Sequence, residues 1–228
     1  MSAARRGAAS ADESVESGDM PLQDALQTQR AIRRLKRDPV DDDVILRCLE
    51  LATKAPTGGN SQNWHWVMIR DAEVKRKLAR AYRQAWAVYG RLARIKTRHN
   101  RKMQRVVDAV QWQVDHFEEV PVLVVACLKG FRFNLSPVMA STYFGSIYPA
   151  VQNFLLACRA EGLGAGITTL PLWSSLQARR ALGLPFSVQP CAVIPVGWPQ
   201  GRYGPTTRRA LEKVVSFDRW GGEQGSGA

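Results

Sequence analysis

Three stretches hold the residues best suited to chemistry. In Thr28-Gln29-Arg30-Ala31-Ile32-Arg33-Arg34-Leu35, the guanidinium groups of Arg30, Arg33 and Arg34 are spaced to serve one anion. Arginine's planar fork grips a phosphate at two points. A solvated charge run is the alternative reading of the same residues. In Ala55-Pro56-Thr57-Gly58-Gly59-Asn60-Ser61-Gln62-Asn63-Trp64, two glycines free the backbone and let a ligand come close. Thr57, Asn60, Gln62 and Asn63 add donors and acceptors, and Trp64 a flat apolar wall with one N–H. The loop suits a planar ligand with polar edges, although an ordinary helix-to-strand turn uses the same residue types. The third stretch, Gly162 to Leu172, sets Thr168, Thr169 and Leu170 behind three glycines. It is no dinucleotide fingerprint, because its glycines follow a helix and precede a strand. A plain buried strand would also favour two threonines.

Other chemistries find little support. No Ser/His/Asp ordering stands out, and no carboxylate pair sits in an apolar setting. His65, His99 and His116 fall in separate segments, so metal ligation is not expected. Cys48, Cys127, Cys158 and Cys191 lie far apart in apolar runs, as core residues do, and a reducing cytoplasm fits them. No run approaches the ~18 apolar residues of a membrane span, and no apolar stretch follows Arg5 and Arg6, so neither a span nor a secretory signal is expected.

The elements that must position these stretches can be read in order. Residues 1–20 lack large apolar side chains and read as a flexible tail, with 221–228 as a second. Residues 21–220 read as a single domain. Leu22, Ala25, Leu26 and Gln29 fall at helix spacing. Asp41, Asp42 or Asp43 can cap a helix from about Val44 whose buried stripe is Ile45, Leu46, Leu49 and Ala52. A strand follows through Trp66 to Ile69. A basic helix from Lys75 to Arg105 presents Leu78, Tyr82, Trp86, Tyr89 and Ala93 on one face. Val120 to Cys127 reads as a strand buried on both faces. After a loop through Phe133, Asn134 and Pro137, residues Phe144 to Leu163 read as one long apolar helix with Gly162 ending it. Ser174 or Ser175 caps a short helix stopped at Gly183, and Ala192 to Gly197 is the last core strand. The alternation predicts an α+β sandwich, a central mixed or antiparallel sheet covered by helices.

The formal charge of +12 is local: the twelve Lys and Arg between Val74 and Val107, with no Asp or Glu among them, equal it. A uniformly basic nucleic-acid binder is therefore not the natural reading. The patch could be a solvated helix face, an attraction for phosphorylated ligands, or a polyanion site.

Taken in order, the three stretches resemble the FMN-dependent nitroreductase superfamily, with its R-R-S-x-R segment, P-S-x-x-N-x-Q-P-W loop and G-L-G-x-x-x-T strand. The resemblance runs from about Leu22 to about Trp220. It implies an intertwined homodimer with flavin at the subunit interface, bound FMN, and hydride taken from NADPH or NADH at flavin N5. The oxidised nicotinamide then leaves, and a nitroaromatic, quinone or similar acceptor takes hydride or electrons from the same face of the flavin in a ping-pong scheme. The resemblance assigns the cofactor to Gln29, Arg30, Ala31, Ile32 and Arg33, to Pro56, Thr57, Gly58 and Asn60, to Thr168, Thr169 and Leu170, and to Arg208. It implies no catalytic nucleophile, acid or base. Gln29 stands where the family often has Arg, Ala31 where it has Ser, and Thr206 where it has Lys, so phosphate binding would rest on Arg30, Arg33 and Arg208. Related chemistries, reductive dehalogenation or flavin fragmentation, fit the same motifs. A flavin- or polyanion-binding module with little turnover is the alternative of another class.

Overall fold

The computed structural model describes residues 20–130 and 136–222. Residues 1–19 and 223–228 of the expected tails, and loop residues Phe133 and Asn134, lie outside them. The described chain forms a four-stranded antiparallel sheet flanked by helices, in the strand order β1-β2-β4-β3. The strands are β1 (Trp64–Ile69), β2 (Val122–Lys129), β3 (Gly164–Ala165) and β4 (Val188–Gly197). Every residue of β2 from Val122 to Leu128 is buried, as its unbroken apolar run requires of a central strand. Alternate residues serve two cores. Val122, Val124, Ala126 and Leu128 face one cluster, and Leu123, Val125 and Cys127 the other. α2 (Asp42–Ala52) and α6 (Tyr148–Ala160) cover the first face. α3 (Ala72–Thr97) and α4 (Arg101–Asp115) cover the second. α1 (Leu22–Thr28), α5 (Pro137–Gly145) and α7 (Ser175–Leu182) complete the layers. Among the described residues no helix is long and apolar enough to cross a membrane.

Several expectations need correcting. The apolar stretch Phe144 to Leu163 is not one helix. α5 ends at Gly145, and α6 starts at Tyr148. Pro149 in the first turn of α6 has no N–H to give to residue 145, and its ring would clash with that carbonyl, so one continuous helix is disallowed. The basic stretch is two helices as well. Asn100 caps α4 by accepting the Met103 amide at 3.1 Å, and Gln104 Nε2 donates to Arg98 O at 2.9 Å, closing the corner. Leu78, Tyr82 and Trp86 are buried as expected, but Tyr89 is 53% exposed, as Val88, Leu92 and Ile95 of the same half of α3 are. In α2, Leu46 is 52% exposed and Cys48 takes its place in the stripe. Gly162 does end α6. At φ +75° it completes a Schellman motif, with its amide on Arg159 O and the Leu163 amide on Cys158 O. Ser174 caps α7, and left-handed Gly183 stops it.

Candidate functional site

The first and third stretches meet at one edge of the sheet. α1 ends at Thr28, and the chain from Gln29 turns extended. The Ile32 amide donates to Ala165 O at 3.0 Å, and Leu35 forms an isolated bridge to Pro199. The glycines permit this approach. A Cβ on Gly164 would lie 2.6 Å from Leu35 Cδ2 and 2.9 Å from Ile32 Cγ2, and one on Gly166 would lie 3.3 Å from the Ala31 Cα. Beyond them Thr168 pairs with Val193 in both directions at 2.9 Å, which carries Thr169 and Leu170 past the same edge.

The segment after β4 straps this edge down. Tyr203 donates its phenol hydrogen to Leu163 O, and the Arg159 guanidinium lies 4.0 Å over the Tyr203 ring. Arg159 Nε also donates to Thr28 Oγ1 at 2.9 Å, next to Gln29. Thr206 donates both its amide and its hydroxyl to Gln27 O, at 2.9 and 3.1 Å. Where the resemblance expected a lysine, this chain has a clasp, and exposed Arg208 follows it two residues on. Arg208 Nη1 donates to Thr207 O.

The cations of this edge differ in setting. Arg30 is exposed, whereas Arg33 is half-buried. Burial lowers its pKa, and the ionisable group acting on it is the Tyr82 phenol. Among the described residues no carboxylate pairs with it. A desolvated guanidinium without a counter-charge suits an anionic or electron-rich acceptor. Thr168 is buried on the adjoining segment, where its backbone pairs with Val193. The edge thus offers exposed Arg30 for a charged group and half-buried Arg33 for a polar rim, with Thr168 on the adjoining segment.

The second stretch lies elsewhere. Gly59, Asn60 and Gln62 take left-handed φ of 58°, 51° and 45°. Thr57 Oγ1 accepts the Gln62 amide at 3.1 Å, and Asn60 Oδ1 accepts Gln62 Nε2 at 3.0 Å, so the loop is held by its own side chains. The Gly58 amide donates to buried Ser146 Oγ at 3.1 Å. Pro56 opens this loop from the end of α2. Trp64 pairs through Leu128 with Gln189, whereas Ala165 pairs with Val196. Seven residues along β4 and three strand spacings separate them, roughly 25 Å. Within one chain, Pro56, Thr57, Gly58 and Asn60 do not join Arg30, Arg33 and Thr168.

Sequence reading missed Ser146 and Gln113, and it took Tyr82 only for an apolar stripe residue. Gln113 left a signal: it falls in the buried stripe of α4 with Val107, Val110 and Val114. A polar residue at such a position needs a partner.

Comparison with known proteins adds the following. The family model described as Nitroreductase family matches residues 26–198. Iodotyrosine deiodinase 1 of Rattus norvegicus is 23% identical over 193 residues, 83% of this chain and 67% of that protein. The chain thus spans about two thirds of that relative's length. NADH dehydrogenase of Thermus thermophilus is 27% identical over 190 residues, 82% of this chain and 91% of its own. A crystal structure of oxidised iodotyrosine deiodinase bound to FMN and 3-iodo-L-tyrosine superposes with a TM-score of 0.69 at 20% identity, covering 87% of this chain and all of that one.

Proposed function

Because the chain belongs to the Nitroreductase family, we propose that it is an FMN-dependent oxidoreductase that uses NADPH or NADH to reduce a nitroaromatic, quinone or similar acceptor. The observation that carries the reading is the meeting of two motif segments at one sheet edge, where the Ile32 amide donates to Ala165 O, Gly164 and Gly166 admit the arginine segment, and half-buried Arg33 has no carboxylate beside it among the described residues. This donor set fits a flavin mononucleotide. Arg30 and Arg208 would hold the phosphate, Gln29 would add neutral hydrogen bonds, and Ala31 and Ile32 would line the ribityl chain with backbone. Arg33 would take the pyrimidine edge, and Thr168, Thr169 and Leu170 would flank the ring. When bound, FMN supplies the hydride chemistry at N5.

The missing wall requires a second copy of the chain. Pro56, Thr57, Gly58 and Asn60 stand too far away to serve their own chain's edge, so they serve a partner's in a homodimer. Leu211, Val214, Val215, Phe217 and Trp220 are exposed along the segment after the clasp, an apolar surface that a single chain leaves in water. Four buried free thiols suit a reducing cytoplasm.

The decisive experiment is the absorbance spectrum of purified protein before and after anaerobic NADPH, then NADH. Bands near ~450 nm that bleach with one nucleotide support the reading and name the donor. Protein that stays colourless after soaking with FMN overturns it. The likeness to iodotyrosine deiodinases favours a second reading, reductive dehalogenation of an aromatic ring. Halide release from a halotyrosine under reducing conditions, with no turnover of nitroaromatics, would select it.

A further inference from the structure

Lys77, Arg80 and Gln84 share one face of α3, at i, i+3 and i+7, and Gln177, Arg180 and Ala181 share one face of α7, at i, i+3 and i+4. The two helices are held together from beneath. Leu78 and Tyr82 of α3 and Ala181 and Leu182 of α7 pack into one core. Leu170 and Leu172, which follow Thr168 and Thr169, belong to that core as well. The six residues then line a cleft of about 360 Å³ between the helices. Arg180 lies outside the basic stretch from Val74 to Val107, so only the fold brings it to Lys77 and Arg80. Among the described residues Arg80 and Arg180 have no ion pair, and the side-chain amides of Gln84 and Gln177 have no hydrogen bond. Lys77 has Glu73 at 3.7 Å, a carboxylate that also serves Arg76 at 2.7 Å. No carboxylate lines the cleft.

We infer that this cleft is a binding site for a phosphate group carried by a small organic ligand, separate from the place proposed for the flavin phosphate. Three cations that face one cleft without a carboxylate repel one another, and a doubly charged group between them removes that cost. A single carboxylate would neutralise one of the three. A phosphate monoester brings nearly two negative charges at neutral pH and three acceptor oxygens. Arg80 and Arg180 can each grip it with two parallel hydrogen bonds, and Lys77 adds a point charge. The amides of Gln84 and Gln177, each both donor and acceptor, suit the hydroxyls of a sugar or the edge of a base beside the phosphate. The volume stands near the lower end of the ~300–1,000 Å³ of small-molecule sites, which fits a phosphorylated sugar or part of a nucleotide. Two sources carry that chemistry. One is the 2′-phosphate of NADPH, and this source rests on the oxidoreductase reading above. The other is a phosphorylated small molecule that binds apart from turnover.

The test is calorimetric titration of 2′,5′-ADP and of inorganic phosphate into the full chain saturated with FMN, at constant ionic strength. Adenosine is the uncharged control. Wild-type protein should bind both phosphate probes and adenosine far more weakly than 2′,5′-ADP. The double variant Arg80→Gln/Arg180→Gln should weaken both probes by about ten-fold or more. Arg76→Gln/Arg83→Gln removes the same charge from α3 outside the cleft and should leave both affinities within about two-fold. All four arginines are exposed, so both variants should fold. Steady-state kinetics then separate the two sources. A KM for NADPH that rises by about ten-fold in the cleft variant, with the KM for NADH unchanged, assigns the phosphate to the nicotinamide donor. Unchanged KM for both donors, with the probes lost, assigns it to a separate phosphorylated ligand. Equal losses in the two double variants would mean a general surface field and overturn the site, as would wild-type protein that binds neither probe. Either result leaves the flavin reading in place. If the chain takes up no FMN, the titration still reads the cleft through Arg80 and Arg180, and only the nicotinamide arm falls.

Discussion

Arg33 and the cysteines show what burial does to single ionisable groups. Arg33 is half-buried with no carboxylate beside it among the described residues, so its charge costs the fold some stability unless a ligand accepts it. Arg33→Met should therefore leave the thermal midpoint of flavin-free protein unchanged or raised. The same change should weaken FMN by ten-fold or more, the size expected for one charge-assisted hydrogen bond of about 1.5–3 kcal/mol. Calorimetry with and without FMN reads both effects, and a large fall in the flavin-free midpoint would mean that Arg33 is structural. The thiols titrate in the opposite sense. Burial pushes Cys127 and Cys191 up to about 12. In the unfolded chain a thiol loses its proton near pH ~8.5. Between these values the unfolded state binds fewer protons than the native one, so stability falls as pH rises, by up to about 1.4 kcal/mol per unit for each thiol. Unfolding in urea from pH 8 to 10.5 should show this decline, and Cys191→Ala should flatten it.

At the scale of elements, the site depends on backbone approach more than on side-chain reach. Gly164 lets the arginine segment lie against β3, and a methyl group there would meet Leu35 and Ile32 below 3 Å. Gly164→Ala should cost about 1–3 kcal/mol of stability, as overpacking does, and should weaken flavin as well because Arg33 moves with Ile32. Denaturant melts and FMN titration would check both. Intact affinity in a destabilised variant would separate the segment from the site. The loop after α2 depends similarly on Ser146, which accepts the Gly58 amide and donates to Thr142 O at 3.0 Å. Ser146→Ala leaves that amide without its partner and should cost about 1–3 kcal/mol.

At the scale of the molecule, the question is how two sheet edges can make one site. β1 and β3 are the outer strands of one sheet, and the Gly58 loop and the Arg33 edge lie beyond opposite ends. A homodimer that pairs one chain's loop with another's edge would also cover the exposed apolar residues from Leu211 to Trp220. Light scattering at micromolar concentration should give twice the chain mass. An obligate interface of more than ~2,000 Å² should hold on dilution to nanomolar. A chain ending at Ala210 should scatter as a monomer and lose FMN, and a truncated chain that keeps both properties would refute the exchange. The basic hairpin, with Arg94, Arg98, Arg101 and Lys102 near its tip, belongs to this scale too: if its field draws anionic nucleotides, their association should slow as salt rises.

The sequence by itself determined the elements whose signals are local. β2 was legible in its apolar run, α7 in its serine cap and Gly183 stop, and the end of α6 in Gly162. The three motifs, by type and order, pointed to the family. What local signals could not carry, tertiary structure decided. A proline in a first helical turn and an asparagine cap divided two stretches that periodicity read as continuous. Thr206 turned from an absent cation into a clasp because Gln27 O happens to face it. Tyr82 and Gln113 each resembled ordinary stripe residues until two helices packed side by side brought their polar atoms together. Hydrophobic spacing states only which face is buried. Which polar group that face will meet depends on contacts across 31 residues from Tyr82 to Gln113, and no local pattern encodes a distance of that kind.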